Sequence, residues 1–313
     1  MLLVDPPLWP AHGTMFSHLV SDTSLAELHA FADRIGVSAR AFDRDHYDLP
    51  ASHYPAAVAA GAREVSPTEV VRALRRARLR RPKPQVLAAA RRRDDRLRAG
   101  WAALLPHAVD LGEELLDRWS QPHRRYHTPQ HLAELQQAMD GLVADLRHGA
   151  DPGRTLRLAA WFHDAVYECR PGEDEEASAQ LAERSLDGLV PAAEVAEVAR
   201  LVRLTADHTP ADDDPAGNVL VDADLAILGA DDARYLEYSR QVRAEYQRVS
   251  AEDFRRGRLA VLQHLDGLDP LYRTRPARAW WTDPAHTNIA AEQHRLEQQA
   301  PPDAAPGAAP AAE

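Results

Sequence analysis

The chain has 313 residues, a single cysteine, and 37 basic against 48 acidic side chains, which gives a net charge of −11. This length indicates two domains, and one cysteine excludes an intramolecular disulfide scaffold. The N-terminal MLLVDPPLWP is interrupted by Asp5 and by prolines, and no basic region precedes it, so we expect no signal peptide. Because no apolar run reaches the roughly 18 residues of a membrane helix, we expect a cytoplasmic protein without a membrane partner.

Residues 1–80 alternate short apolar runs, such as Leu2–Val4, with helical patterns. Two Ser-x-x-Glu spacings, Ser24–Glu27 and Ser66–Glu69, are typical of helix starts, where the serine oxygen accepts a bond from an unpaired backbone N–H. This part of the chain therefore predicts a small α/β domain with a short, largely parallel sheet.

The next segment is strongly basic. Twelve basic residues lie between Arg72 and Arg98, against only Asp94 and Asp95, and we call this stretch the arginine belt. Within it, residues 81–95 are predicted to be an Arg-rich linker. Such a belt suits a nucleic-acid backbone, but a solvated basic helix is the ordinary explanation of the same pattern.

From residue 96 to residue 298 the sequence is a series of amphipathic segments without a strand pattern. In Pro129–His148, for example, apolar residues recur at spacings of three and four, as expected for a helix packed on a core. We predict an all-α domain over 96–298 and a disordered Pro/Ala-rich tail over 299–313. The fold class is thus α+β: a small α/β domain followed by an all-α domain. Further helices are predicted at Thr155–Tyr167, Glu175–Leu186, Ala192–Ala206, Asn218–Leu228 and Ala233–Val249.

Polar residues interrupt three of these apolar segments. His131 lies near a helix start, the pair His163–Asp164 lies inside an apolar helix, and Asp222 and Asp224 lie inside another. Burying such groups costs several kcal/mol unless they are paired or bind a metal. For His163 and Asp164 alone, a buried hydrogen bond is the simpler explanation. Three such interruptions together favour a shared metal site.

The pooled ligand set is His131, His163, Asp164 and Asp224, a mixture of nitrogen and oxygen donors. Such a set suits a divalent ion of Mn, Co, Ni, Fe, Zn or Mg. Asp222 and Asp224 are about 200° apart around a helix, so they cannot easily share one site. Asp224 has the more apolar neighbours, which leaves Asp222 as a supporting residue or a cap.

The order of these residues resembles the HD superfamily of predicted metal-dependent phosphohydrolases, an all-α fold. The resemblance spans residues 97–298 and is specific for one bacterial branch. It rests on RRYHTPQHL, LAAWFHDAVY, DEEASA, LTADH, VDADLAILG, VRAEY, GR followed by VL, and TNIAAE. The chain departs from that branch at Asp174, where an asparagine is usual.

The resemblance implies roles for individual residues. His131, His163, Asp164 and Asp224 match the metal-ligand positions, and Asp164 would also orient the attacking water. By analogy with cyclic-nucleotide phosphodiesterases, His127 is a candidate general acid. His208 and Glu175 are candidates for a second metal or a supporting role, although both also suit their helix ends. Candidate phosphate-binding residues are Arg124, Arg243 and Arg258.

Residues 1–80 resemble a small bacterial domain family of unknown function. The resemblance rests on VDPPLWP, SHLVSD, AFDRDHYDLP and AGAREVSPTE, and it implies no activity. Six polar residues of this region are candidates for a second polar site at strand ends, or simply for bonds to turn backbone. They are Asp5, His18, Asp22, Asp45, His46 and Asp48.

Two functions remain open from the sequence. The first is a metal-dependent phosphohydrolase that uses a metal-activated water on a small-molecule phosphoester, with a nucleotide expected. The alternative is a nucleic-acid-associated or nucleotide-sensing protein that uses the arginine belt, with a non-catalytic HD domain. Against the alternative, the belt lacks the interleaved aromatic residues on which bases stack.

Overall fold

The computed structural model describes residues 1–38, 41–80, 83–143 and 153–298. The chain forms two compact units, Met1–Arg92 and Arg93–Glu313, which we call the sheet unit and the helical unit. The division falls inside a helix that also contains most of the predicted linker 81–95. The predicted disordered tail 299–313 lies outside the described residues.

The sheet unit combines short strands with helices, which confirms the predicted small α/β domain. The strand order across the sheet is β4-β5-β3-β1-β6, and β2 pairs with β3. In chain order the elements are β1 (Leu2–Val4), β2 (Trp9–Ala11), β3 (Thr14–Ser21), α1 (Leu25–Arg34), β4 (Phe42–Asp43), β5 (His46–Pro50), α2 (Tyr54–Ala59), β6 (Arg63–Glu64) and α3 (Pro67–Arg76).

The prediction of a largely parallel sheet is wrong. Among the described strands only β1 and β6 run parallel, and every other pair is antiparallel. Two of the antiparallel pairs, β2 with β3 and β4 with β5, are hairpins closed by tight turns. His12 and Gly13, which join β2 to β3, have φ values of 47° and 74°, the left-handed backbone of a two-residue hairpin. Such a turn reverses the chain, so the strands that it joins must be antiparallel.

A small apolar core lies on each face of this sheet. Leu28 and Phe31 of α1 pack with Leu19 and Tyr47 on one face, whereas Val70 and Leu74 of α3 pack with Leu3 and Val20 on the other. The helices begin where the sequence predicts, because Ser24 and Ser66 each accept the backbone N–H three residues later. Strand side chains that belong to neither core are therefore available for other contacts.

The helical unit is built on one large core, and its described residues contain no strand, which confirms the predicted all-α region. Trp101, Trp119, Trp161 and Phe162 are among its largest fully buried side chains. Its helices are α4 (Lys83–Leu104), α5 (Val109–Trp119), α6 (Pro129–Val143), α7 (Gly153–Phe162), α8 (Glu173–Leu186), α9 (Ala192–Leu204), α10 (Pro215–Asp224), α11 (Asp232–Glu245), α12 (Ala251–Asp266) and α13 (Arg275–Gln298).

Two helix boundaries differ from the prediction in a way that matters for the polar residues. Helix α7 ends at Phe162, so His163 and Asp164 follow the helix instead of lying inside it. Helix α10 ends at Asp224 and continues as a 3-10 turn over Leu225–Gly229. Both polar groups therefore lie at helix ends, where side chains can turn toward a common centre. Residues 144–148 of the predicted segment Pro129–His148 lie outside the described residues.

In the part of the chain that the structure describes, every helix falls short of the length or apolarity that crossing a membrane requires.

Candidate metal centre

Four of the predicted site residues meet at one point of the helical unit. His131 comes from the first turn of α6, His163 and Asp164 follow α7, and Asp224 ends α10. Their side chains are between 1% and 14% exposed, so the cluster is enclosed by the core. The structure thus brings together the full ligand set that the sequence predicts.

The donor atoms of these four residues lie close together. His131 Nε2 is 3.3 Å from His163 Nε2 and 3.1 Å from Asp224 Oδ1. His163 Nε2 is 3.6 Å from Asp224 Oδ1 and 3.0 Å from Asp164 Oδ2. The remaining pair that includes His131, from its Nε2 to Asp164 Oδ2, is 3.9 Å apart.

These spacings are those of ligands around one cation. Donors about 2.1 Å from a metal are about 3.0 Å apart at right angles and about 3.4 Å apart at tetrahedral angles. The five separations that involve His131 or His163, 3.0 to 3.9 Å, fall at or slightly above those values, and His131, His163 and Asp164 form a group with donor atoms within 4.8 Å of one another. Two imidazoles and two carboxylates are also an ordinary donor set for a divalent transition metal. The residues present therefore fit such an ion.

The imidazole of His163 is oriented for this role. Its Nδ1–H donates to the carbonyl of Ala160 at 2.9 Å, which leaves the Nε2 lone pair directed at the cluster. Burial opposes the charged imidazole, but the carboxylates of Asp164 and Asp224 outweigh burial and raise the pKa of His163 well above its usual value. The cluster thus attracts positive charge strongly.

Asp224 is held by histidines on both of its oxygens. Oδ1 faces His131 and His163, and Oδ2 accepts a bond from His208 Nε2 at 3.0 Å. Burial would raise the pKa of Asp224, but its bonds with these three histidines lower it well below the ordinary value. In this arrangement His208 orients the carboxylate from behind, and its predicted role as a second-metal ligand stays a prediction.

His127 lies at the edge of the cluster. Its Nε2 is 4.0 Å from Asp164 Oδ2, and its Nδ1 donates to Glu245 Oε2 at 2.8 Å. The ring stacks on Tyr167 with 4.1 Å between centroids, and one fifth of the side chain is exposed. Burial opposes the charged form of this imidazole, but Asp164 and Glu245 raise its pKa. A proton on His127 Nε2 would therefore face the space beside Asp164.

Glu245 is the functional residue that the sequence reasoning missed. Its fully buried carboxylate accepts the backbone N–H groups of Arg125, Tyr126 and His127, and the hydroxyl of Tyr167 donates to it at 3.0 Å. Burial would raise the pKa of Glu245, but His127 and these donors lower it to about 2. Glu245 thus fixes both the loop before α6 and the ring of His127.

A signal for Glu245 was present in the sequence. Tyr235, Tyr238 and Val242 form the buried stripe of α11, and Glu245 continues that stripe at a spacing of three. An ionised residue on an apolar stripe needs a buried partner, as His163 does.

The three candidate phosphate-binding arginines have other partners in this structure. Arg124 is buried and donates to the carbonyls of His127, Asp164 and Ala165 at 3.2, 2.7 and 3.2 Å. It therefore ties the general-acid candidate to the ligand loop. The phosphate-binding role of Arg124, Arg243 and Arg258 stays a prediction.

The other two arginines bond to groups outside the ligand set. Arg258 forms a buried ion pair with Glu292, with 2.9 Å between Nε and Oε1. Arg243 donates to the carbonyls of Tyr246 and Val249.

The acidic candidates outside the ligand set have backbone partners. Asp222 is fully buried and accepts the backbone N–H groups of Arg273 and Thr274, so it supports a loop. Glu175 accepts the N–H of Gly172 at the start of α8, and burial together with the charge of Asp164 raises its pKa. Asp174, where the sequence departs from the HD branch, accepts the N–H groups of Glu168 and Arg170 and shapes the loop after the ligands.

A cavity of about 460 Å³ adjoins the cluster, and His131 and Asp224 form part of its wall. Most of the remaining wall is apolar, with Trp280 and Trp281 on one side. Arg234 lines it as well, paired with Glu134 at 2.7 Å. The volume lies within the range of small-molecule sites.

The comparisons with known proteins concern the sheet unit. Residues 2–77 match the family described as Protein of unknown function (DUF4031). This agrees with the family of unknown function that residues 1–80 resemble. No HD-domain family is matched, so the resemblance of residues 97–298 stays a prediction. No curated protein and no solved structure matches the chain.

Proposed function

We propose that the helical unit is a metal-dependent phosphohydrolase, and that it hydrolyses a small-molecule phosphoester, with a nucleotide as the expected class. The observation that carries this proposal is the convergence of Asp164 and Asp224 on His131 and His163, at donor separations of 3.0 to 3.9 Å from these histidines. The motif order over 97–298 supports the same conclusion independently of the geometry.

The chemistry follows from the donor set. A divalent cation held by these residues would supply hydroxide from water near neutral pH and would offset charge on the phosphoryl group. Asp164 lies on the side of the cluster that faces His127, so its carboxylate would both hold the metal and orient the attacking water.

His127 protonates the leaving oxygen. Glu245 holds its Nδ1–H, so the second nitrogen faces the reacting group. Arg124 bonds the carbonyls of both His127 and Asp164, which fixes the distance between the acid and the nucleophile side. Arg124 and Glu245 are therefore positioning residues.

The neighbouring cavity supports a nucleotide as substrate. It places Trp280 and Trp281 within the same wall as two ligand residues, His131 and Asp224. Aromatic rings stack on nucleobases at a gain of about 1–3 kcal/mol per base. A base in this cavity would hold its phosphate near the cluster.

The decisive experiment measures phosphate release by the full chain. Nucleotides and generic phosphoesters are tested with added Mn²⁺, Co²⁺, Ni²⁺ or Mg²⁺, after metal analysis of the purified protein. We expect metal-stimulated hydrolysis that His131→Gln and Asp164→Asn abolish. His107→Gln, which changes an exposed histidine of the same unit, is the matched control and should retain activity. Equal activity in the ligand variants and the control would refute the site.

The general acid is tested separately with two leaving groups. His127→Gln should slow hydrolysis of an alkyl phosphoester by about 100-fold or more, since its poor leaving group needs protonation. Hydrolysis of p-nitrophenyl phosphate should fall much less, because nitrophenolate leaves without a proton. Equal losses for both substrates, with unchanged metal content, would contradict this role.

A further inference from the structure

A second group of polar residues gathers on the sheet unit. In the pairing of β3 with β5, His18 lies directly opposite Asp48. Successive strand residues point to opposite faces, so His46, two residues before Asp48, lies on the same face. His18, His46 and Asp48 thus share one patch of the sheet, which we call the sheet cluster. Asp22, a sixth polar candidate of this region, instead binds the amino group of Met1.

Each histidine of the sheet cluster is hydrogen-bonded through its Nδ1 to a carboxylate. His18 Nδ1 is 2.9 Å from Oδ2 of the fully buried Asp5, and His46 Nδ1 is 2.8 Å from Asp45 Oδ1. Arg80 in turn binds both oxygens of Asp45, at 2.7 and 2.9 Å. A carboxylate on one imidazole nitrogen fixes the ring and its tautomer, as it does for histidines that ligate metals.

The other nitrogens of the two rings converge on Asp48. Its Oδ1 is 3.4 Å from His46 Nε2 and 4.0 Å from His18 Nε2, and the two rings are 5.0 Å apart between centroids. With Nδ1–H donated to a carboxylate, each neutral imidazole presents only a lone pair at Nε2. Two imidazole Nε2 atoms and a carboxylate oxygen then face one point.

We propose that His18, His46 and Asp48 bind one divalent transition-metal ion. The three donor atoms lie within 4.8 Å of one another, so small side-chain rotations bring all three to bonding distance of one centre. Two imidazoles and one carboxylate, each imidazole backed by a second carboxylate, form a zinc-type set with three protein ligands.

The sheet cluster leaves room for a further ligand. Asp48 is 49% exposed, and the His18 side chain is 27% exposed, so solvent reaches the proposed ion. Three protein ligands and an accessible position are the arrangement of zinc sites that bind water or an exchangeable group. A purely structural zinc would instead have four protein ligands.

The proposal is tested by metal stoichiometry in the full chain. The proteins are the parent chain, His46→Gln, His163→Gln and the double variant, each loaded with Zn²⁺, dialysed and analysed for metal. Substitution His46→Gln should remove about one zinc per chain in both backgrounds, because a lost ligand sharply weakens a three-ligand site. The His163→Gln background isolates the sheet cluster from the helical unit. Failure of the proposed phosphohydrolase would therefore leave this measurement intact.

Three further readouts keep the test decisive. His53→Gln, a histidine of the same unit outside the cluster, should bind as much zinc as the parent. Visible absorption of Co²⁺ in the His163→Gln protein should report a site that Asp48→Asn weakens, and Asp48 is exposed enough to be changed without loss of folding. Circular dichroism in EDTA should show the same fold for all variants. Unchanged zinc content in both His46→Gln and Asp48→Asn would overturn the proposal.

Discussion

The two histidine and aspartate clusters use the same residue types in opposite surroundings. In the helical unit the donors come from the start of α6, the segment after α7 and the end of α10, and their side chains are at most 14% exposed. In the sheet unit the donors come from two paired strands, and exposure reaches 49% at Asp48. One cluster is enclosed by a core, whereas the other reaches solvent at His18 and Asp48.

This difference determines how much stability is lost when a polar group loses its partner. An enclosed charge that loses its partner stays buried and unpaired, which costs several kcal/mol. A partly exposed charge recovers hydration when its partner is removed, so the cost is small. We therefore expect substitutions in the helical unit to disturb both stability and function, and those in the sheet unit to act mainly on ligand binding.

The largest expected effect is at the enclosed cluster. Asp224→Asn should lower kcat/KM for phosphoester hydrolysis by at least about 100-fold. Mutating a residue that only bonds to a metal ligand already lowers metal affinity or activity by about 10- to 100-fold, and Asp224 is itself a proposed ligand. It also leaves His131, His163 and His208 without the carboxylate that they share. The measurement is steady-state hydrolysis with saturating metal, together with the metal affinity.

The control for this substitution is Asp232→Asn, the same chemical change at an exposed position in the first turn of α11. It should keep hydrolysis within about twofold, as most surface substitutions do. If Asp224→Asn behaved like this control, Asp224 would not be a ligand.

The second prediction compares a buried ion pair with a more exposed one. Arg258→Met leaves Glu292 unpaired in the helical core and should destabilise that unit by about 3–5 kcal/mol. Arg80→Met opens the pair with Asp45, where the arginine is 32% exposed and the buried carboxylate keeps His46 as a partner, and should cost about 1 kcal/mol. Native-state hydrogen exchange, resolved by peptide and carried out in EDTA, measures the opening energy of each unit separately.

Equal destabilisation by Arg258→Met and Arg80→Met would show that burial does not determine the cost of breaking these ion pairs. Arg258→Lys separates charge from shape, because lysine keeps the charge but loses the two-pronged contact with Glu292. It should fall between the parent protein and Arg258→Met.

The third prediction is the pH dependence of the same buried pair. Burial would raise the pKa of Glu292, but Arg258 outweighs burial and lowers it below the ordinary value. The unfolded chain then binds a proton at higher pH than the folded one. The stabilisation is therefore present above an unfolded pKa of about 4.3 and is lost as pH falls toward the folded pKa.

Urea unfolding between about pH 5 and pH 3 measures this loss. Glu292→Gln cannot titrate and should show a shallower decline in the free energy of unfolding than the parent. A parallel decline in both proteins would assign the acid sensitivity to other carboxylates.

The enclosed cluster was predictable because its residues break apolar helical patterns. His131, His163, Asp164 and Asp224 each stand out against buried neighbours, and the structure brings all four together. Glu245 breaks a pattern too, on the stripe of Tyr238 and Val242, but most of its partners are groups of residues 125–127, more than a hundred residues away. The residues near Glu245 in the sequence do not indicate partners so distant in the chain.

The sheet cluster shows the opposite limit. The sequence indicated Asp5, His18, Asp45, His46 and Asp48 as polar candidates, but their grouping depends on the register of β3 with β5. A shift of one residue would move His18 to the other face. The assumed parallel sheet also missed the antiparallel pairing of β3 with β5, and with it the hairpins at His12–Gly13 and Arg44–Asp45.

The smallest expected effect concerns the arginine belt, which lies in both units. Arg72, Arg75 and Arg76 are exposed on α3, whereas Arg80 and Arg98 pair with carboxylates. If the belt is only the solvated face of a helix, replacing these three exposed arginines with Gln should change phosphoester hydrolysis by less than about twofold. The alternative function, nucleic-acid association, predicts something different. Retention on heparin or DNA should then weaken with salt, decrease in the triple variant and survive His163→Ala, because phosphate contacts act independently of the metal cluster.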